Sequence, residues 1–314
     1  MKKLILIIIL GLISSATSIA QPDDSSSDRK TPTFYGHTFP SMGNFASSFI
    51  NTSLQANLGF GSTSTIKVPG ISIGDNEILT FQGKIMFFNM DVKYQQRFNP
   101  WLALFISFSM GGRVGTDMST ILVDGVNTLS GGSIGWRIRI REAQRFNLSS
   151  IIRVINLSGN FINVADYFRD VINNVPNPSV TRKIPSTTIG TGLMGAYAFN
   201  PTFGIQFNGE YAFGESFERE KNQSYLSAGI MGDVDFLPAH NVPVGIAFGY
   251  ALSSAPSIVM SDGGVSNLFS GKVGYTGSDD FELGLQFTYY NVNIKSVDNK
   301  PYLSKIILSL KFYF

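Results

Sequence analysis

From about residue 48 to the C-terminus, apolar and polar residues alternate with a period of two in stretches of roughly ten residues, separated by turn-forming clusters. The pattern is plain at Met86, Phe88, Met90, Val92 and Tyr94, which alternate with Phe87, Asn89, Asp91, Lys93 and Gln95. After Phe98-Asn99-Pro100-Trp101 it resumes as Leu102, Leu104, Ile106 and Phe108. A proline between two alternating runs belongs to a turn or a strand start, because it cannot donate to a sheet ladder. The same device recurs at Phe199-Asn200-Pro201-Thr202-Phe203. Strands are expected near 48–61, 80–98, 101–113, 131–142, 146–158, 186–199, 202–214, 224–236, 243–253, 267–276, 281–294 and 302–314, roughly twelve in all. Compact turns near 98–101, 142–146, 199–202, 237–243 and 277–280 alternate with longer connections near 62–79, 114–130, 159–185, 215–223, 254–266 and 295–301. One helical period interrupts the rhythm: Phe161, Val164, Ala165, Phe168, Val171, Ile172 and Val175 share a face, and Pro176 and Pro178 end it. This short helix falls in a long connection and is expected either folded inward, narrowing the lumen, or resting on the outer rim.

One face of nearly every strand is free of charge: Trp136, Ile138 and Ile140; Val244, Ile246, Phe248 and Tyr250; Leu283, Leu285, Phe287 and Tyr289; Ile306, Leu308, Leu310 and Phe312. Such a face suits hydrocarbon, where a Lys or Arg at mid-depth would cost about 2–4 kcal/mol. Strands in hydrocarbon must close into a ring, since an open edge leaves backbone groups without partners. The fold class is therefore all-β: a transmembrane antiparallel up-and-down β-barrel with one short helix in an outer loop. The competing architecture is a soluble exported β-sandwich or barrel, which would also alternate; aromatic residues beside the turns at Phe98, Trp101, Phe146, Tyr197, Phe199 and Phe236 argue against it.

The last strand, Lys305-Ile306-Ile307-Leu308-Ser309-Leu310-Lys311-Phe312-Tyr313-Phe314, resembles the terminal strand of bacterial outer-membrane barrels, which ends in alternating apolar residues and a final Phe. The resemblance reaches a porin- or transporter-like class and no specific family within it. It implies a Gram-negative outer membrane as location, membrane lipid and the barrel-assembly machinery as partners, and Phe314 as the assembly signal.

Composition adjusts this picture at four points. Residues 1–20 pair Lys2 and Lys3 with an apolar run and small residues up to Ala20, as a secretory signal peptide does. Residues 21–47 begin polar and become aromatic at Phe34, Tyr35, Phe39 and Phe45, which fits either a disordered periplasmic leader or a plug inserted into the barrel. The plug alternative resembles the hatch of fatty-acid channels without matching it residue by residue. The barrel itself is expected over 48–314. Charged residues make up only 15% of the chain and the net charge is +2, so nothing points to nucleic acid as a partner. There are no cysteines, which removes disulfides, thiolate chemistry and a lipidated N-terminus.

With facing set by alternation, Lys93, Arg97, Arg113, Arg137, Arg139, Arg141 and Arg153 line the lumen as a basic wall with one acid, Asp91. Glu210, Asp233, Asp235 and Glu282 form an acidic wall further round. Opposed walls would set a transverse field that orients small polar solutes; alternatively the same side chains pair and fill the interior. No catalytic set is found. Gly190-Thr191-Gly192-Leu193-Met194-Gly195 spells a dinucleotide fingerprint but leads into a turn and a strand, not a helix. His37 and His240 lie outside the expected strands, no serine has a histidine base on a barrel wall, and Asp233 with Asp235 lack further metal ligands. No enzyme activity, cofactor or metal is expected. The function expected is a passive or gated channel for small polar solutes. The alternatives are a closed barrel with a structural or surface-adhesion role, or a FadL-like channel for hydrophobic compounds.

Overall fold

The computed structural model describes residues 30–43, 45–73, 76–114, 125–162, 164–215, 222–254, 265–291 and 302–314. The signal-peptide expectation and much of the long connections lie outside these residues.

Twelve antiparallel strands close into one barrel. In chain order they are β3 (Ser53–Thr63), β6 (Met86–Asn99), β7 (Leu102–Val114), β8 (Gly125–Ala143), β9 (Phe146–Ile162), β10 (Thr181–Ala198), β11 (Phe203–Glu215), β12 (Asn222–Asp235), β13 (Val244–Ser253), β14 (Ser266–Tyr275), β15 (Phe281–Asn291) and β16 (Tyr302–Tyr313). Each pairs with its neighbours in sequence, and β16 closes the ring on β3, with Leu308 opposite Leu58. The twelve agree one for one with the alternating stretches, because the two faces of each strand meet different solvents and fix its register.

Two small hairpins stand apart from the ring. β1 (Thr33–Phe34) and β2 (His37–Thr38) form one. Its two turn residues, Tyr35 and Gly36, have φ of 52° and 80°, the left-handed pair that a two-residue hairpin requires. The second joins β4 (Ile66–Ile73) to β5 (Asn76–Gly83) between β3 and β6. A plain loop was expected over 62–79 and a single strand over 80–98. The structure instead breaks that strand at Lys84 and Ile85 and assigns its start to the extra hairpin.

β8, β9 and β10 are the longest strands, and the helix α1 (Val164–Ile172) sits in the connection at the far end of β9 and β10. Its Phe168, Val171 and Ile172 are exposed, and Asp170 lies 3.7 Å from Arg182 at the start of β10. One ion pair thus ties the helix to the extended end of β10. A second helix, α2 (Leu237–His240), forms the turn between β12 and β13 and carries His240.

The exterior carries the apolar surface. Phe248, Leu285, Ile306 and Leu308 are among many large apolar side chains at least half exposed. Aromatic residues mark both margins: Trp101, Phe199, Phe203 and Phe312 beside the short turns, and Tyr211, Tyr250, Phe269 and Tyr302 toward the long connections. This distribution inverts that of a soluble domain and matches a lipid-facing belt between two aromatic girdles.

Candidate functional site in the barrel interior

Residues 31–43 and 45–52 run inside the ring at the end bearing the short turns. The β1–β2 hairpin tip lies across that mouth: the Arg145 guanidinium stands 3.8 Å from the Tyr35 ring centroid, Gly36 packs on Pro201, and the Thr31 N–H donates to the Asp279 carbonyl at 3.1 Å. Three different short turns thus hold one hairpin.

Beyond the hairpin the segment has little ladder of its own, so its backbone groups find partners on the wall. The Ser41 N–H donates to both carboxylate oxygens of Glu282, at 2.9 and 3.1 Å, and the Ser41 hydroxyl donates to Oε2 at 2.8 Å. Lys272 donates to the Ser41 carbonyl and also pairs with Glu282. The Gly43 N–H donates to Gln286 at 2.9 Å, and Gln206 donates to the Pro40 carbonyl at 3.2 Å. Further along, Asn147 and Ser149 both donate to the Ser48 carbonyl, at 2.8 and 2.5 Å. Arg137 and Gln95 both donate to the Phe49 carbonyl at 3.0 Å. His37 is fully buried and bonded to Asp233. Apolar contacts complete the seat: Phe39 and Phe49 pack on Ala196 and Ala198, while Met42 packs on Met231 and Ala247.

The residues expected in the lumen take different places. Lys93, Asp91, Arg137, Arg153, Glu210, Asp233, Asp235 and Glu282 all turn inward. Arg113 is opposite the inward Phe87 near the long-connection end, and Arg97 lies at the short-turn end, where it is exposed. Arg139 is also near that end and pairs with Glu142. Arg141 departs from expectation. A β-bulge between Arg139 and Arg141 shifts the register so that Arg141 stands opposite Leu148 and Glu142 opposite Asn147. Asn147 is the inward residue, held by Ser48, so Arg141 faces outward. One inserted residue reverses every later side chain.

The acidic residues are not ranged against the basic ones across an open space. Arg153 binds Glu210 through two parallel contacts, Nε at 2.6 Å and Nη2 at 2.7 Å, reaching over β10. Gly190 leaves room for this geometry, since a Cβ there would lie 2.5 Å from Glu210 Oε1. Asp235 accepts from the Thr276 hydroxyl at 2.8 Å and the Leu237 N–H at 3.1 Å. Asp91 accepts from Asn89 at 2.8 Å. Phe314, at the chain end, is exposed and its N–H donates to the Thr52 carbonyl at 3.0 Å.

Above the inserted segment lies a cavity of about 500 Å³. Its floor is Met42, Gly43, Phe45 and Ala46; its walls include Asn57, Asp91, Lys93, Ser107, Arg153, Asn208, Glu210 and Lys305. Alternation in the sequence bears on the wall residues alone. It did not locate Ser41, His37 or the cradle around Ser48, because that segment has no periodicity and its partners lie as far off as the 241 and 243 positions that separate Ser41 from Glu282 and Gly43 from Gln286.

A closed antiparallel ring with an apolar belt, two aromatic girdles and a polar interior defines a transmembrane β-barrel of the outer-membrane class. No protein-family model matches the chain, and no curated protein matches it by sequence. In structure it is similar to the translocator domain of autotransporter NalP from Neisseria meningitidis, at 8% identity, a TM-score of 0.50, and coverage of 87% of this chain and 90% of that one. It is also similar to an outer membrane channel from Pseudomonas putida F1 (10% identity, TM-score 0.49, 88% and 100% covered) and to the KdgM porin (7% identity, TM-score 0.41, 82% and 99% covered). At these identities the likeness is one of fold.

Proposed function

We propose that this protein is a gated outer-membrane channel for small polar solutes, held closed at its periplasmic end by its own residues 31–52. The observation that carries this is the cavity of about 500 Å³ walled by polar and charged side chains and floored by a segment that is no part of the β-ladder. A ring built only to be filled would use wall side chains for the purpose; here the filling is a separable stretch attached by hydrogen bonds and small apolar contacts. Removing it would join the cavity to the short-turn mouth. Phe314 serves in this scheme as the assembly signal, and lipid and the assembly machinery are the partners outside the lumen.

Planar-bilayer recording tests the proposal. The full chain is expected to show long closures with brief openings, and a chain with residues 31–47 replaced by a Gly-Ser stretch of equal length is expected to conduct continuously. Absence of conductance from both, at any voltage, refutes it. That result would favour a closed barrel with a structural or adhesive role, to which the sealed short-turn end already lends weight.

A further inference from the structure

Not every inward cation stands in an ion pair. Arg153 is matched by Glu210 and Lys272 by Glu282. Lys93 has no carboxylate within ion-pair distance among the described residues; its ammonium lies 5.0 Å from the centroid of the Phe105 ring. Arg137 sits 5.9 Å from the same ring, is 2% exposed, and leaves Nε and Nη2 without a hydrogen-bond partner. Two cations thus lie within 6 Å of one aromatic ring, one of them, Lys93, lining the cavity, and neither has a carboxylate at ion-pair distance among the described residues. Charge buried without a counter-charge is costly, and a bound anion would remove that cost.

The floor has a second property. Phe105, Ile151 and Met194 pack together with Ala46, and the Phe45 ring lies against Gly229 and Gly249, where a Cβ would come within 2.7 and 2.5 Å of it. Phe45, Phe105 and Ile151 all line the cavity, so an apolar surface adjoins the unmatched ammonium. A cavity of this volume is in the range of small-molecule sites, which combine apolar walls with a few placed polar groups.

We propose that the cavity floor binds a small organic anion with a compact apolar body, its carboxylate on Lys93 and its body on Phe45, Phe105 and Ile151. This deepens the channel reading and rests on it for the ligand's route of entry. The site itself is formed with the inserted segment in place, since Phe45 and Ala46 belong to that segment.

Isothermal titration of the full-length protein in detergent with benzoate, benzyl alcohol and inorganic phosphate tests it. Saturable benzoate binding is expected, with benzyl alcohol and phosphate each at least tenfold weaker. Lys93→Gln is expected to lose at least tenfold in benzoate affinity, and Lys93→Arg to retain most of it. Because Lys93→Gln removes an unmatched buried charge, the variant should fold, which heat-modifiable gel mobility checks. No saturable benzoate binding, equal binding of benzyl alcohol or phosphate, or unchanged affinity in folded Lys93→Gln each overturns the proposal. Binding without conductance would retain the site and refute the channel, so the two failures are distinguishable.

Discussion

Glu282 is the residue on which closure should depend most. It accepts from the Ser41 backbone and hydroxyl, from Lys272, and from the Tyr313 hydroxyl at 3.3 Å, all in a buried setting. Changing Glu282→Ala leaves Lys272 with only the Ser41 carbonyl while residues 31–52 are seated. Breaking a buried pair by removing one partner costs about 3–5 kcal/mol, because the remaining charge is uncompensated. That cost falls on the seated state. Once the segment leaves, Lys272 meets water in the lumen and the penalty largely vanishes. At about 1.4 kcal/mol per factor of ten, the ratio of open to closed barrels should rise by roughly two to nearly four powers of ten. Single-channel recording in planar bilayers reads this as open-time fraction. A second substitution supplies the control: Lys272→Met in the Glu282→Ala background removes the stranded charge and should restore much of the closure. The reasoning is refuted if Glu282→Ala closes as the parent does, or if the double variant stays as open as the single one.

Three further outcomes follow from the geometry. Leu285→Arg, in mid-strand on the lipid face, should lower unfolding free energy in lipid vesicles by about 2–4 kcal/mol, while Phe199→Arg in the short-turn girdle should cost only about 0–1 kcal/mol; equal costs would remove the lipid belt from that face. Arg141→Glu should leave the reversal potential of conducting protein unchanged, since the bulge turns this residue outward, and a shifted potential would place it in the lumen. Gly190→Leu should displace Glu210 from Arg153 and lower stability toward urea by about 1–3 kcal/mol, an effect that should shrink when Glu210→Ala is already present.

The barrel was legible because lipid imposes a strict rule. Outward positions such as Leu283, Leu285 and Phe287 must be apolar, inward ones such as Glu282, Gln286 and Thr288 are free to be polar, and a period of two then reports both strand and facing. Where that rule lapses, legibility lapses with it. The β4–β5 hairpin falls across an expected loop, 62–79, and the start of an expected strand, 80–98, in a stretch that forms no part of the ring. The ends of β8, β9 and β10 run several residues past the expected limits for the same reason. Arg141 was misplaced because a bulge is a local backbone event that alternation alone does not announce. Arg153 and Glu210 were both assigned inward, yet their pairing depended on a glycine between them, which only three-dimensional adjacency reveals. Residues 21–47 are open to two readings at the level of sequence and 48–52 reads as the start of the first strand, which begins instead at Ser53; the partners that seat this stretch lie on strands far away in the chain.

The seat for Ser41 and Gly43 is built from Glu282 and Gln286, on the last strand but one, whereas the cradle for Ser48 and Phe49 comes from β6, β8 and β9. A sheet that lacks β6 or β15 lacks part of this seat, and an open sheet that holds both keeps the two sets apart until it curls into a ring. A half-assembled barrel consequently offers this stretch nowhere to dock, and although it precedes every ring strand in the chain, it settles only after the first and last strands have met. Docking thereby doubles as a proofreading step: a ring joined out of register would misplace one set of donors and acceptors relative to the other, and its entrance would stay uncorked.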